Sequence, residues 1–112
     1  MADIEIGPPD LAQVTEILHR HVPEFEVRAF GSRVSGRPRR TSDLDLVLMT
    51  DKPLALMRLA DLRDAFSGSD LSFKVDLLDW ATTSEAFRRI IERGYALIQH
   101  ADADHGLASN RR

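Results

Sequence analysis

The stretch Ala29-Phe30-Gly31-Ser32, followed eleven residues after the serine by Asp43-Leu44-Asp45, constrains this chain more than any other feature. It reads as an apolar strand ending in a small-residue turn, then a short helical segment, then a second strand that begins with two acids. Residues two apart on a strand share a face, so Asp43 and Asp45 project together while Leu44, Leu46 and Leu48 face the other way. Glycine lets a backbone approach a phosphate closely, N–H groups at a helix start donate to phosphate oxygens, and Ser32 adds a hydroxyl there. Magnesium takes hard oxygen ligands, typically one or two carboxylates plus substrate phosphates. Together the turn and the two acids point to a divalent cation carrying a phosphate chain.

Neither a lone Gly-Ser nor a lone Asp-x-Asp carries weight, but the spacing Gly31-Ser32-(ten residues)-Asp43-Leu44-Asp45-Leu46 is specific. It resembles the signature of the polymerase-β-type nucleotidyltransferase superfamily. The chain is similar to the minimal nucleotidyltransferase branch, small proteins that often work with a helical HEPN-type partner. The resemblance runs over roughly residues 10 to 99 and implies a third acid on a later strand. Phe73-Lys74-Val75-Asp76-Leu77-Leu78 supplies one, with Phe73, Val75 and Leu77 on one face and Asp76 on the other. Asp79, three residues on, points to the opposite face from Asp76, so the third acid is assigned to Asp76. The segment 78–84, from Leu78 to Ser84, also looks like this branch.

The resemblance implies a small mixed β-sheet flanked by helices, an α/β (α+β) fold of the polymerase-β-like type. It also implies transfer of a nucleoside monophosphate, AMP from ATP by default, to an acceptor hydroxyl with release of pyrophosphate. Asp43, Asp45 and Asp76 are then the catalytic and metal-holding acids for one or two Mg²⁺ ions, and Gly31 and Ser32 anchor the phosphates. Arg33 is the best candidate cation for the triphosphate because it directly follows the serine and arginine forks match phosphate oxygens. Arg37, Arg39 and Arg40 flank the same loop, as phosphate contacts or as a solvated charge run. Lys74 lies on the acidic face, where it pairs with a carboxylate or touches phosphate.

Composition agrees with one intracellular domain. The chain has 112 residues, 43% hydrophobic and 29% charged, enough for one core. No apolar run approaches the ~20 residues of a membrane span, and the start Met1-Ala2-Asp3-Ile4 is unlike a secretory signal. The absence of cysteine excludes disulfides and thiolate metal sites and fits the cytoplasm. A net charge of −3 argues against a general nucleic-acid coat. With no second domain to grip an acceptor, the missing surface is expected from another chain. The resemblance makes that a HEPN-type toxin whose tyrosine receives AMP; a strand edge or Trp80 could also pair with a second copy. Three other readings stay open. They are a nucleotide-binding regulatory subunit without turnover, a small-molecule transferase of the antibiotic-modifying kind, and a metal-dependent phosphodiesterase, the last disfavoured by the phosphate anchor.

Along the chain, Pro8-Pro9-Asp10 opens a helix carrying Leu11, Val14, Ile17 and Leu18, with Asp10 as its cap and Pro23 ending it. Strands are expected over 25–30, 44–49, 73–78 and 95–98. A second helix runs from Lys52-Pro53 to about Phe66, with Leu54, Met57, Leu62 and Ala65 inward and Gly68 as the stop. Thr82 and Glu85 form a capping box for a third helix carrying Phe87, Ile90 and Ile91, closed by a C′ glycine at Gly94. The catalytic domain is set at 1–99 and a frayed tail at 100–112. His19 and His21 read as solvated helix-end residues favoured by the helix dipole, and Trp80 and Tyr95 as packing residues.

Overall fold

The computed structural model describes residues 4–35 and 43–102. Elements follow in the order α1 (Pro8–His21), β1 (Val27–Phe30), α2 (Ser32–Ser35), β2 (Leu44–Leu48), α3 (Leu56–Ser67), β3 (Val75–Asp79), a 3₁₀ turn (Trp80–Thr82), α4 (Glu85–Arg93) and β4 (Ala96–Gln99). The mixed sheet has the order β3-β2-β1-β4. β2 runs antiparallel to β1 and parallel to β3, which it reaches through α3, the crossover that a parallel pair requires. The expected mixed sheet flanked by helices is the fold observed.

The period-2 pattern of the strands sorts the two faces. Leu44, Leu46, Leu48, Val27, Ala29 and Leu77 form the main core with Val14 and Leu18 of α1 and Leu62 and Phe66 of α3. On the opposite face Phe30 and Val47 pack with Ile91, and Leu78, Trp80, Phe87 and Tyr95 close around them. α4 therefore covers only part of that second face, and the strand ends bearing Asp45 and Asp76 lie beyond it.

Local chemistry moved several boundaries. Gly7, not Asp10, is the N-cap of α1, because Pro8 and Pro9 already hold helical φ values at its start; Asp10 sits in the first turn, where the helix dipole favours an acid. α3 begins at Leu56 rather than Lys52, and the Leu54 N–H ahead of it donates to Asp79 Oδ2 at 2.5 Å. Met57 is 73% exposed instead of buried, while Leu62 is in the core and Leu54 is half-buried. Ser84 rather than Thr82 caps α4, its hydroxyl accepting from the Phe87 N–H at 3.2 Å. Thr82 and Thr83 instead donate to the Asp79 carbonyl at 3.0 and 2.8 Å. Ile91 turns inward and Ile90 stays 55% exposed, and Gly94 is extended (φ −165°) rather than left-handed.

Trp80 and Tyr95 do pack, each under an arginine: Arg88 lies 4.9 Å from the Trp80 ring centre and Arg28 4.3 Å from that of Tyr95. His19 is largely exposed, 3.6 Å from Asp102. The arginines at 37, 39 and 40 and the tail from residue 103 lie outside the described residues; at 102 the backbone N–H still donates to the Pro23 carbonyl at 2.8 Å.

Candidate active site

The site is assembled where β1 ends and β2 and β3 begin. Gly31 leaves β1 with φ +85°, a conformation that L side chains rarely adopt. A second constraint falls on the same residue: a Cβ at position 31 would run into the Asp45 carboxylate. The turn and the acid are therefore in contact, and only glycine satisfies both demands. The Gly31 carbonyl accepts from the Val34 N–H at 3.0 Å, which closes the single turn of α2, and Ser32 is exposed at its first position.

Asp45 and Asp76 are Cα partners in the parallel register of β2 and β3, so their side chains rise side by side from one face. Asp43 lies one residue ahead of β2 and is exposed. Burial is the first cause that holds the Asp45 carboxyl above its ordinary range; the charges of Asp76 and Asp43 and a hydrogen bond with Asp76 act in the same direction. The Lys74 ammonium stands 3.7 Å from Asp76 Oδ1, with the lysine largely in solvent and the aspartate half-exposed, so it relieves little of this repulsion. Like charges 4 Å apart repel by ~1 kcal/mol in water and ~4 kcal/mol at an effective dielectric of 20. Such a pair is unfavourable unless it holds a proton or a cation.

Among the described residues no three acidic or histidine side chains form a closed metal cage. The donor set nevertheless fits Mg²⁺, which takes one or two carboxylates and completes its octahedron with phosphate oxygens and water. Asp45 and Asp76 would supply the carboxylates, and Asp43 is close enough to act on Asp45 electrostatically.

Arg33 is a correction to the sequence expectation. Its guanidinium is buried rather than turned to the site: it lies 4.3 Å from the Phe73 ring centre and donates to the Glu5 carbonyl at 2.9 Å. The Glu5 N–H in turn donates to the Arg33 carbonyl at 2.7 Å, so this arginine fastens the N-terminal segment to the fold. Asp79, the rival to Asp76, faces the opposite way and is buried. It accepts from the Thr50 hydroxyl and from the Leu54 and Ala81 N–H groups, the latter at 3.2 Å, and locks the end of β3.

One feature escaped the sequence reading. A cleft of about 530 Å³ opens beside the two acids, lined by Phe30, Leu78 and Phe87 together with the segment 82–84, Asp45 and Asp76. Its signal lay in 82–84, which reads from sequence as a helix start at the end of a segment that resembles this branch.

A parallel acid pair beside a left-handed glycine, on a four-stranded mixed sheet, fits a nucleotidyl-transfer module. The family model described as polymerase beta, nucleotidyltransferase matches residues 12–103, and the chain belongs to that family. It is 48% identical over 101 residues to the probable protein adenylyltransferase MntA of Haemophilus influenzae, covering 90% of this chain and 89% of that protein. It is 31% identical over 75 residues to a putative protein adenylyltransferase of Methanocaldococcus jannaschii, covering 61% and 76%. Among solved structures, a toxin–antitoxin with AMP-PNP shares the fold with a TM-score of 0.68 at 21% identity, covering 88% of this chain and 79% of that one. A complex of tri-AMPylated Shewanella oneidensis HEPN toxin with MNT antitoxin gives 0.63 at 19% identity, covering 88% and 76%.

Proposed function

We propose that this chain transfers AMP from ATP, with Mg²⁺, to a hydroxyl on a HEPN-type partner protein in the cytoplasm, as the antitoxin of a toxin–antitoxin pair. The observation that carries the reading is the Asp45–Asp76 pair at one register position, in contact with the Gly31 turn. The MntA similarity supports a protein acceptor and adenylyl transfer, and the likeness to antitoxins solved with HEPN toxins supports the partner.

Gly31 and Ser32 bind and orient the phosphates at the turn. Asp43, Asp45 and Asp76 would hold one or two Mg²⁺ ions, which neutralise charge on the triphosphate when bound. Asp76 orients the acceptor hydroxyl and helps take its proton. The new bond joins the acceptor oxygen to the α-phosphorus, the bond to the β-phosphate oxygen breaks, and pyrophosphate leaves.

The test uses α-labelled ATP, CTP, GTP and UTP with Mg²⁺, incubated with the chain alone and with the product of the adjacent gene. Label moving from ATP to that protein, and lost in Asp45→Asn, is the expected result. Mg-dependent nucleotide binding with no transfer would replace this reading by the regulatory-subunit one.

A further inference from the structure

Arg33 is turned away from the phosphate turn, yet three parts of the frame around the site meet on its guanidinium. The first is its own helix. α2 is a single turn of four residues, too short to hold itself, and it begins with Ser32. The second is the segment ahead of β3: the guanidinium lies 4.3 Å from the ring centre of Phe73, a member of the main core. The third is the N-terminal segment, joined through the Glu5 carbonyl at 2.9 Å and the return bond from the Glu5 N–H at 2.7 Å. Ile4 and Ile6, on either side of Glu5, pack against the same core, so this segment is a fixed support.

The placement of these parts gives the contact its meaning. α2 follows β1, Phe73 precedes β3, and β2 lies between those two strands in the sheet. Arg33 therefore ties the turn that bears Gly31 and Ser32 to the strand that bears Asp76. Phe73 stands two residues ahead of Val75, where β3 begins, so its packing helps to set where the strand enters the sheet. Beside it the Lys74 carbonyl accepts from the Leu44 N–H at 2.9 Å, which joins the same point to the start of β2. Rate falls steeply with misplacement, by roughly a hundredfold for ~1 Å. A planar guanidinium stacked on a ring while it donates to a carbonyl fixes such a spacing, which a flexible ammonium does not. We propose that Arg33 is a positioning residue of the transfer reaction: held by Phe73 and Glu5, it sets where Ser32 stands relative to Asp76 and binds no phosphate itself. The inference rests on the transferase reading above and adds the device that holds the two ends of the site in register.

The test measures AMP transfer to the partner protein at saturating MgATP, and the Kd for MgATP, well below each variant's melting temperature. Arg33→Met and Phe73→Leu are each expected to lower kcat roughly a hundredfold while the Kd for MgATP stays within about threefold. The double variant should lose no more than the worse single one, because both changes cut one link. Arg33→Lys keeps the charge without the fork and should be as slow as Arg33→Met. Phe73→Tyr keeps the ring and should recover most of the rate that Phe73→Leu loses. Should Arg33→Met fail to fold, the two Phe73 variants decide. A Kd for MgATP weakened about tenfold in Arg33→Met, with Arg33→Lys active and Phe73→Leu unaffected, would make Arg33 a direct phosphate ligand and overturn the proposal. So would lower melting temperatures with kcat unchanged, the mark of a support that stabilises without positioning. Absence of label transfer by the unaltered chain would instead bring down the transferase reading, and this inference with it.

Discussion

Asp76 and Asp79 stand three residues apart on β3, and the two faces of the strand treat them in opposite ways. Asp79 is 9% exposed and its oxygens are consumed by a hydroxyl and two backbone N–H groups. Asp76 has a half-exposed side chain beside another carboxylate, with one solvated lysine nearby. One aspartate spends its charge on holding chain segments in place. The other is left with unsatisfied charge, which favours a cation. An acid's burial therefore says less about its role than what faces it.

The sharpest way to break this contrast is to neutralise each acid in turn. Asp76→Asn is expected to lower AMP transfer by about 10²–10⁴-fold, the usual contribution of an acid–base group, with the melting temperature unchanged or raised. Full activity in this variant would return the third-acid role to another residue. Gly31→Ala should also abolish transfer, because a methyl at φ +85° meets the Asp45 carboxylate; loss of Mg-dependent ATP binding in a folded protein checks it. Asp79→Ala is expected to cost about 2–4 kcal/mol of stability, since it strands buried donors. Chemical denaturation measures this, and a loss below 0.5 kcal/mol, roughly the level of an ordinary surface change, would refute the lock.

A subtler effect concerns pH. The raised Asp45 carboxyl binds its proton more tightly folded than unfolded, so its ionised form costs stability at neutral pH. That cost fades as pH falls through the folded value toward about 4, where a free carboxylate titrates. Asp45→Asn, without Mg²⁺, should therefore melt a few degrees above wild type near neutrality, with the gain vanishing near pH 4. A constant gain across pH would deny the electrostatic cause. Smallest of all, Met57→Ser should change stability by no more than about 0.5 kcal/mol, because Met57 lies outside the core.

Much of the site was legible in the chain because strand alternation is local. Reading 44–48 and 73–78 with period two is enough to put Leu44, Leu46 and Leu77 on one face, Asp45 and Asp76 on the other, and Asp79 away from Asp76. Helix faces were less legible. Met57 and Ile90 both fit an apolar stripe, yet α3 starts one turn later than its composition suggests, and α4 turns Ile91 and Phe87 into the apolar cluster on the sheet. Arg33 was misjudged for a similar reason: adjacency to Ser32 says nothing of which way a side chain turns, and Phe73 and Glu5 that capture it are distant in sequence.

The sequence by itself determined the element types, the sides of the strands and the glycine that the turn demands, since each follows from steric rules acting over a few residues. Tertiary structure decided that Asp45 and Asp76 share a register, that Gly31 touches Asp45, and that Phe30, Leu78 and Phe87 wall one cleft. Those pairings join residues up to 57 positions apart. Only the packing of α3 and α4 against a four-stranded sheet sets distances across such separations.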